Sequence, residues 1–308
     1  MRIVFMGTPD YSVKTLDALI GAGHNVVGVF AQPDKPVGRK QILTPPPVKQ
    51  YATEKNIPVY QPTTLRDGSA LEIIKELDPE IIVVVAYGKI LPKEILDFPK
   101  YGCVNGHASL LPRHRGSAPI QKAILDGDEV TGVTTQLMDE GIDTGDILLT
   151  SETPIGDTET AEQLFERLSV ISAELTVKTL DAIQNGTVTP KKQPEEGVTY
   201  APIIKKEMAH LDFTKTAREL YNAVRGYYSW PCAFMFLDGK RIKVIESAIA
   251  ENTAAPCGTV CENKDRLVIA CGDGTALELV TVQPEGSKAM SAAQMLRGRT
   301  VPIGTMAQ

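Results

Sequence analysis

An asparagine and a histidine stand two residues apart in a segment that otherwise reads as a buried strand. Asn105 and His107 lie within 103–107, and residues two apart on a strand point to the same face. The carboxyl ends of parallel strands are where α/β proteins place their sites. An amide N–H and a histidine N–H there can both donate hydrogen bonds to a developing negative charge. The alternative interpretation is a capping asparagine and a structural histidine.

An acidic, glycine-rich loop follows another predicted strand. Residues 138–146 read MDEGIDTGD and contain Asp143, a carboxylate that could accept a proton or stabilise a protonated histidine. The alternative is a solvated surface turn. The two segments together indicate a polar site at one edge of a sheet.

Short apolar strands and amphipathic helices alternate along the first half of the chain. Residues 2–6 predict a buried strand, residues 12–22 a helix and residues 25–31 a second strand. The pattern recurs, with strands predicted at 58–60, 81–86, 103–107 and 133–138 and helices at 48–54 and 71–77. This alternation predicts an α/β fold with a Rossmann-like, doubly wound, mostly parallel sheet.

The second half of the chain has a different pattern of predicted elements. A long helix is predicted over 160–185, with Thr160 and Gln163 as a capping box and Gly186 at its end. We predict a catalytic domain over 1–187, a proline-rich linker over 188–205 and a second domain over 206–308. A helix at 215–225 begins this last domain. Short strands follow at 233–237, 241–245, 258–260, 267–271 and 276–280, and they predict a small β-barrel.

Composition and charge exclude several classes of protein. No apolar run is long enough to span a membrane, and the N-terminus lacks the apolar core of a signal peptide, so we expect a cytoplasmic protein. The five cysteines form no metal-binding pattern, and we expect reduced, mostly buried thiols and no metal site. The net charge is −6, but 12 of the 32 basic and 11 of the 38 acidic side chains lie in 206–308. The second domain is therefore near neutral, and a nucleic-acid partner stays open.

A dinucleotide cofactor is poorly supported. The turn after the first strand reads MGTPDYS, with one glycine where the phosphate-binding pattern needs three, and Pro9 occupies a position near the expected phosphates.

The chain closely resembles the folate-dependent formyltransferase family. The matching motifs are N-x-H-x-S-L-L-P from Asn105 to Pro112, R-x-R-G from Arg113 to Gly116, and D-E-G-I-D-T-G from Asp139 to Gly145. The resemblance places the catalytic residues at Asn105, His107 and Asp143. It places the folate-binding residues at Ala86, Tyr87, Gly88, Lys89, Ile90, Leu91, Ser109, Leu110, Leu111 and Pro112.

The resemblance implies formyl transfer from 10-formyltetrahydrofolate to an amine, without a metal ion. Asn105 and a protonated His107 would donate to the oxygen of the tetrahedral intermediate. Asp143 would hold His107 in its cationic form and take part in proton transfer.

The acceptor is indicated by how far the resemblance extends. Glycinamide-ribonucleotide formyltransferases are similar to the first part of the chain only. Members that act on initiator methionyl-tRNA have both domains, the second an OB-type barrel that binds tRNA. The alternatives are a 10-formyltetrahydrofolate hydrolase, a nucleotide-sugar formyltransferase, and a folate- or RNA-binding module without catalysis. We expect a monomer that does not associate with a membrane.

A basic, proline-rich insert favours the tRNA acceptor. Residues 34–49 predict a loop, in which Lys35, Arg39 and Lys40 are candidate tRNA contacts. The alternative is ordinary solvated charge. In the second domain, Trp230 after two tyrosines is more typical of a core residue than of a surface that stacks on bases.

Overall fold

A computed structural model describes residues 1–38 and 40–308 of the chain; Arg39 lies outside the described residues. The described residues form two compact units. Unit 1 comprises 1–119, 130–154 and 165–201, and unit 2 comprises 120–129, 155–164 and 202–308. The domain boundaries at 187 and 206 stay a prediction.

The main sheet of unit 1 is mostly parallel, as predicted. Its strands are β1 (Arg2–Gly7), β2 (Asn25–Phe30), β5 (Val59–Tyr60), β6 (Ile81–Val85), β7 (Cys103–His107), β9 (Val130–Leu137) and β10 (Asp146–Pro154). They lie in the order β10-β9-β7-β6-β1-β2-β5. Five neighbouring strands, β7, β6, β1, β2 and β5, are parallel to one another. In contrast, β9 is antiparallel to β7, and β10 is antiparallel to β9. The predicted α/β class is confirmed, although β10 was not predicted.

Helices alternate with the strands; four of the six were predicted, whereas those at Lys93–Leu96 and Pro119–Asp126 were not. They are α1 (Asp10–Gly21), α2 (Pro47–Glu54), α3 (Ser69–Leu77), α4 (Lys93–Leu96), α5 (Pro119–Asp126) and α6 (Ala161–Gln184). The predicted capping box of α6 is confirmed, because Gln163 N donates to Thr160 Oγ1 at 3.3 Å and Thr160 N donates to Gln163 Oε1 at 3.0 Å. Every residue of β6 is buried, as expected for a central parallel strand that is covered on both faces.

The insert at 34–49 is not a loop, and this prediction was wrong. Two short strands, β3 (Lys35–Val37) and β4 (Ile42–Thr44), pair as an antiparallel hairpin. Gly38 begins its turn in the left-handed region, with φ of 70°. Pro36 is compatible with this two-stranded sheet because a strand at an edge need not donate from every N–H. The prolines after β4 lead into α2, where Pro47 takes the first helical position.

Unit 2 contains an antiparallel sheet. Its strands are β12 (Phe234–Leu237), β13 (Lys240–Ala250), β14 (Val260–Glu262), β15 (Leu267–Ala270), β16 (Ala276–Pro284) and β17 (Met290–Ser291). They pair in the order β12-β13-β16-β15-β14, and β17 pairs with β16. Two helices, α7 (Ala217–Gly226) and α8 (Ala292–Gly298), lie on the same apolar core as the sheet. The strand-rich second domain is therefore confirmed.

Some single residues of unit 2 differ from expectation. Trp230 is 55% exposed, so its prediction as a core residue was wrong. The aromatic pattern around it misled because Tyr227 is buried while Trp230 is turned to the surface. The expectation of reduced, mostly buried thiols concerns both units. Cys103, Cys232 and Cys271 are buried, Cys261 is half-buried and Cys257 is exposed; all five cysteines are free thiols. No helix among the described residues is both long and apolar enough to cross a bilayer.

Candidate active site

The three residues predicted to be catalytic meet at one edge of the main sheet. Asn105 and His107 share a face at the carboxyl end of β7, and Asp143 lies in the loop between β9 and β10. His107 Nδ1 is 3.5 Å from Asp143 Oδ1. Gln136 donates from Nε2 to Asn105 Oδ1 at 3.1 Å and to Asp143 Oδ1 at 2.9 Å. Asn105 and Asp143 thus share one hydrogen-bond network through Gln136, and His107 lies beside it within ion-pair distance of Asp143. We call Asn105, His107 and Asp143 the trio.

The histidine ring of the trio is buried and held at both nitrogens. His107 is 6% exposed, and its Nε2 lies 2.9 Å from the carbonyl oxygen of His114. Because a carbonyl only accepts, Nε2 must carry the hydrogen in this contact. Nδ1 therefore faces Asp143 and is the nitrogen that can gain or lose a proton there.

The aspartate of the trio occupies an uncommon backbone conformation. Asp143 has φ of 54°, a left-handed conformation that aspartate adopts more readily than most residues. Its Oδ2 accepts from the backbone N–H of Gly116 at 2.8 Å. Gly116 has φ of 116°, and a Cβ at this position would lie 2.7 Å from the carbonyl oxygen of Ala201. A glycine is thus needed where the chain delivers an N–H to the carboxylate.

The asparagine of the trio keeps one N–H for a substrate. Asn105 Nδ2 donates to the carbonyl oxygen of Val84 at 3.0 Å, while Oδ1 accepts from Gln136. A primary amide has two N–H groups, so this bonding fixes the amide plane and leaves the second N–H for another acceptor.

The predicted folate-binding turn at 109–112 is attached to β9. Thr134 lies opposite His107 in the sheet and donates from Oγ1 to the carbonyl oxygen of Ser109 at 2.7 Å. The same hydroxyl accepts from Leu111 N at 3.1 Å. Ser109 Oγ donates to Arg113 O at 2.6 Å. The side chains of Ser109 and Leu111 are buried, so the turn itself is rigidly positioned.

The second predicted folate-binding segment, 86–91, combines exposed and buried side chains. Ala86 is exposed with φ of 46°, and Ile90 is 59% exposed. Tyr87 and Leu91 belong to the apolar core, and burial raises the pKa of Tyr87 to about 12. Lys89 donates to the carbonyl oxygens of Pro62 and Thr63, and partial burial lowers its pKa. The side chains of Tyr87, Lys89 and Leu91 therefore hold the segment in place.

A cleft of about 580 Å³ lies beside this segment. Its volume suits a drug-sized ligand. Its lining combines apolar and charged side chains in nearly equal measure: Arg66 and Lys93 supply positive charge, and Glu94 and Glu140 negative charge, with Glu140 from the loop that carries Asp143. The lining residues include Leu65, Leu71, Ile90, Leu91, Pro92 and Ile95.

Two of the three predicted tRNA contacts can be placed. Lys35 and Lys40 are exposed on the β3–β4 hairpin, and Arg39 lies outside the described residues. Val37, Ile42 and Leu43 are also exposed on this hairpin. Its base is closed by Lys49, whose ammonium lies 2.8 Å from Asp34 Oδ1; this hydrogen bond lowers the pKa of Asp34.

Several residues of the site were not predicted from the sequence. Gln136 connects two members of the trio, and Thr134 fixes the 109–112 turn. Gln193 lies in the segment predicted to be a linker, and it donates to the carbonyl oxygens of Asp143 and Gly145 at 2.9 and 2.8 Å. The motif R-x-R-G was the available signal for Gly116. A glutamine within a strand or a linker carries no comparable signal.

A metal site was not expected from the sequence. Among residues 1–38 and 40–308, no group of three or more histidine, cysteine, aspartate or glutamate side chains is placed to hold a metal ion.

Family comparisons show that this chain is a formyl-transferring protein. Residues 1–180 match the family model described as formyl transferase, and residues 203–300 match the formyl transferase C-terminal domain. The chain belongs to the formyl transferase family.

Curated relatives place the chain within this family. A methionyl-tRNA formyltransferase of Thermodesulfovibrio yellowstonii is 46% identical over 302 residues, covering 98% of this chain and 97% of the relative. A methionyl-tRNA formyltransferase of Bacillus subtilis is 47% identical over 305 residues, covering 98% and 96%.

Solved structures share the fold at low sequence identity. An N-formyltransferase of Helicobacter canadensis, in complex with folinic acid and dTDP-3-aminofucose, has a TM-score of 0.70 at 22% identity, covering 92% of this chain and 99% of that one. HypX of Aquifex aeolicus, in complex with tetrahydrofolic acid, has a TM-score of 0.60 at 17% identity, covering 96% and 47%.

Proposed function

We propose that this protein transfers the formyl group of 10-formyltetrahydrofolate to the free amino group of initiator methionyl-tRNA. The observation that carries the proposal is the meeting of Asn105, His107 and Asp143 at the carboxyl edge of the sheet, in a chain that is 46% identical to a methionyl-tRNA formyltransferase over nearly its whole length. The structural neighbours with sugar substrates are only about half as similar in sequence, so the sugar acceptor is not favoured.

The trio supplies the groups that such a reaction needs. The uncharged amine attacks the formyl carbon, and the new oxyanion accepts from the remaining N–H of Asn105 and from the Nδ1–H of protonated His107, because the Nε2–H is bonded to the carbonyl of His114. Asp143 stabilises the protonated ring through its negative charge and accepts the amine's proton, directly or through water. That proton then passes to N10 of the folate, so the C–N10 bond breaks and tetrahydrofolate leaves.

The donor would bind across the two segments that the resemblance assigns to folate. The 86–91 segment and the 109–112 turn are held by backbone contacts to Gln32 and Thr134. The cleft next to residues 90–92 offers apolar lining for a ring system. Arg66 and Lys93 at this cleft suit the carboxylates of the folate tail.

The tRNA would contact both the hairpin and the antiparallel sheet of unit 2. Lys35 and Lys40 suit phosphates of the acceptor end. In unit 2, we interpret the sheet as an OB-type barrel. On its β12–β13 ribbon, the ring of His210 stacks on Phe234 with 5.0 Å between centroids, and the Arg241 guanidinium lies 3.9 Å from the Phe234 centroid. Phe234 itself is buried, so its exposed neighbour His210 and the half-buried Arg241 are the groups here that could contact a nucleic acid. We further propose a cytoplasmic monomer.

The acceptor is identified by comparing kcat/KM for several candidate acceptors. The protein is incubated with 10-formyltetrahydrofolate and, in turn, methionyl-tRNA, glycinamide ribonucleotide, an amino sugar nucleotide, or no acceptor. We expect transfer to methionyl-tRNA to have by far the highest kcat/KM. Faster formylation of either small acceptor, or release of formate that is independent of acceptor, would instead support the alternative activities.

The role of the barrel is tested with point substitutions. The double variant Lys240→Ala/Lys243→Ala removes two cations from β13, and Lys264→Ala/Lys288→Ala is the matched control in the same unit. We expect the first pair alone to weaken tRNA binding and to flatten its salt dependence by about 0.7 for each lost phosphate contact on single-stranded RNA, or about 0.9 on duplex. Equal effects of both pairs would remove the β12–β13 ribbon from the proposed interface.

A further inference from the structure

Gln136 is a buried glutamine at the centre of the trio's hydrogen-bond network. It lies on β9 directly opposite Asn105 of β7, so both side chains extend from the same face of the sheet. Gln136 is 1% exposed. Its single nitrogen, Nε2, donates to Asn105 Oδ1 at 3.1 Å and to Asp143 Oδ1 at 2.9 Å. Both hydrogens of this amide are therefore used on proposed catalytic side chains.

The orientation of the Gln136 amide is determined by its neighbours. Asn105 Oδ1 must be an acceptor, because the nitrogen of the same amide donates to Val84 O. Asp143 as a carboxylate has only acceptor oxygens. Turning the Gln136 amide over would place its oxygen against two other oxygens, so the observed orientation is the one that makes hydrogen bonds.

This arrangement leaves the other end of the Gln136 amide unsatisfied. Among the described residues, no donor reaches its buried Oε1. A buried acceptor without a partner opposes folding. What the glutamine contributes is therefore its pair of donated hydrogen bonds, which satisfy Asn105 Oδ1 and Asp143 Oδ1 and orient both side chains.

We propose that Gln136 is a positioning residue for formyl transfer, an inference that rests on the proposed function. It fixes the Asn105 amide so that the free N–H keeps one direction. It also binds Asp143 through the hydrogen bond of 2.9 Å from Gln136 Nε2 to Asp143 Oδ1. The distance from the same oxygen to His107 Nδ1 is longer, 3.5 Å. Gln136 and the Gly116 N–H together fix the carboxylate, and neither donor takes part in proton transfer.

Gln136→Met and Gln136→Glu separate positioning from folding. Methionine keeps the approximate size and removes both donors. Glutamate keeps the shape but places acceptor oxygens against Asn105 Oδ1 and Asp143. We expect kcat to fall about tenfold in Gln136→Met and further in Gln136→Glu. We expect KM for donor and tRNA to change less than about twofold, because ground-state contacts are retained.

The matched control is Thr135→Val, on the neighbouring residue of β9. Thr135 is also buried, but its hydroxyl bonds to Thr179 Oγ1 at 2.8 Å and to the backbone of Leu149, away from the trio. We expect this variant to lose thermal stability and to keep the wild-type kcat per folate-binding site.

His107→Ala is measured beside them to separate two kinds of failure. If His107→Ala is inactive and Gln136→Met keeps the wild-type kcat, the positioning role is overturned while the proposed function stands. A decrease in the kcat of Gln136→Met that vanishes on normalisation to folate-binding sites also overturns it. If His107→Ala keeps its rate of formyl transfer, the trio is not catalytic and the positioning role fails with it. The proposed function itself fails only if the wild-type protein does not formylate methionyl-tRNA in the same assay.

Discussion

The trio at the end of β7 and the β3–β4 hairpin belong to the same unit but satisfy their polar groups in opposite ways. In the trio, His107 is 6% exposed and each side chain is fixed by hydrogen bonds to backbone or to Gln136. On the hairpin, Lys35 and Lys40 extend into solvent beside exposed Ile42 and Leu43, which are 61% and 64% exposed.

The difference matches what each region would have to do. A group that stabilises a transition state is most effective when it is already oriented before the substrate arrives. A surface that binds a polyanion gains its affinity from exposed charge and from release of counterions, so it needs no fixed side-chain geometry. Substitutions in the trio should therefore affect kcat, and substitutions on the hairpin should affect tRNA binding and its dependence on salt.

The largest effect is expected for Asp143→Asn. The asparagine must point its NH₂ group at either the Gly116 N–H or the Gln136 N–H, so one hydrogen bond becomes a repulsive contact. It also removes the negative charge beside His107. We expect kcat to fall by about 10²–10³-fold, measured as formylated methionyl-tRNA under saturating substrates. A wild-type kcat in this variant would show that the acidic loop is an ordinary surface turn without a catalytic role.

Gly116→Ala should have a smaller effect on kcat and a measurable effect on stability. The added Cβ would meet the Ala201 carbonyl at 2.7 Å, which disturbs the pairing of β8 (Arg115–Gly116) with β11 (Tyr200–Ala201). We expect kcat to fall by roughly 10- to 100-fold and the free energy of unfolding by about 1–3 kcal/mol. Gly21→Ala is the control, since no atom lies within 4 Å of that Cβ. Equal behaviour of the two variants would show that the close approach at Gly116 is unimportant.

Lys35→Ala/Lys40→Ala should leave kcat nearly unchanged. We expect a lower kcat/KM for methionyl-tRNA and a salt dependence that is flatter by about 0.7 for each lost contact with a single-stranded phosphate. The control pair Lys75→Ala/Lys178→Ala removes two exposed lysines elsewhere in unit 1. If the hairpin pair and the control pair give the same slope, the hairpin does not contact tRNA.

The sequence predicted those parts of the molecule that depend on local pattern. Periodicity predicted buried strands such as β6, and a motif predicted the capping box at Thr160. The family resemblance predicted that Asn105 and His107 meet Asp143. The place of Gln136 depends on the antiparallel register of β7 and β9, which sets it opposite Asn105. No local pattern in 130–137 specifies that register.

Other features were missed for similar reasons. The prolines of 34–49 masked a hairpin whose strands are only three residues each, too short for a period to be recognised. Gln193 reaches Asp143 O across 50 residues of sequence, a contact that only the folded chain reveals. Trp230 was misjudged because an aromatic cluster in the sequence does not tell which ring faces solvent.

His107→Ala under single-turnover conditions tests the central claim most directly. Labelled 10-formyltetrahydrofolate is bound to an excess of enzyme and mixed with methionyl-tRNA, and the rate of label transfer is followed while donor affinity is measured separately. The account predicts a rate at least about 100-fold below that of the wild type, with donor affinity nearly unchanged. A rate equal to that of the wild type, with the donor still bound, would contradict the assignment of the trio as the catalytic site.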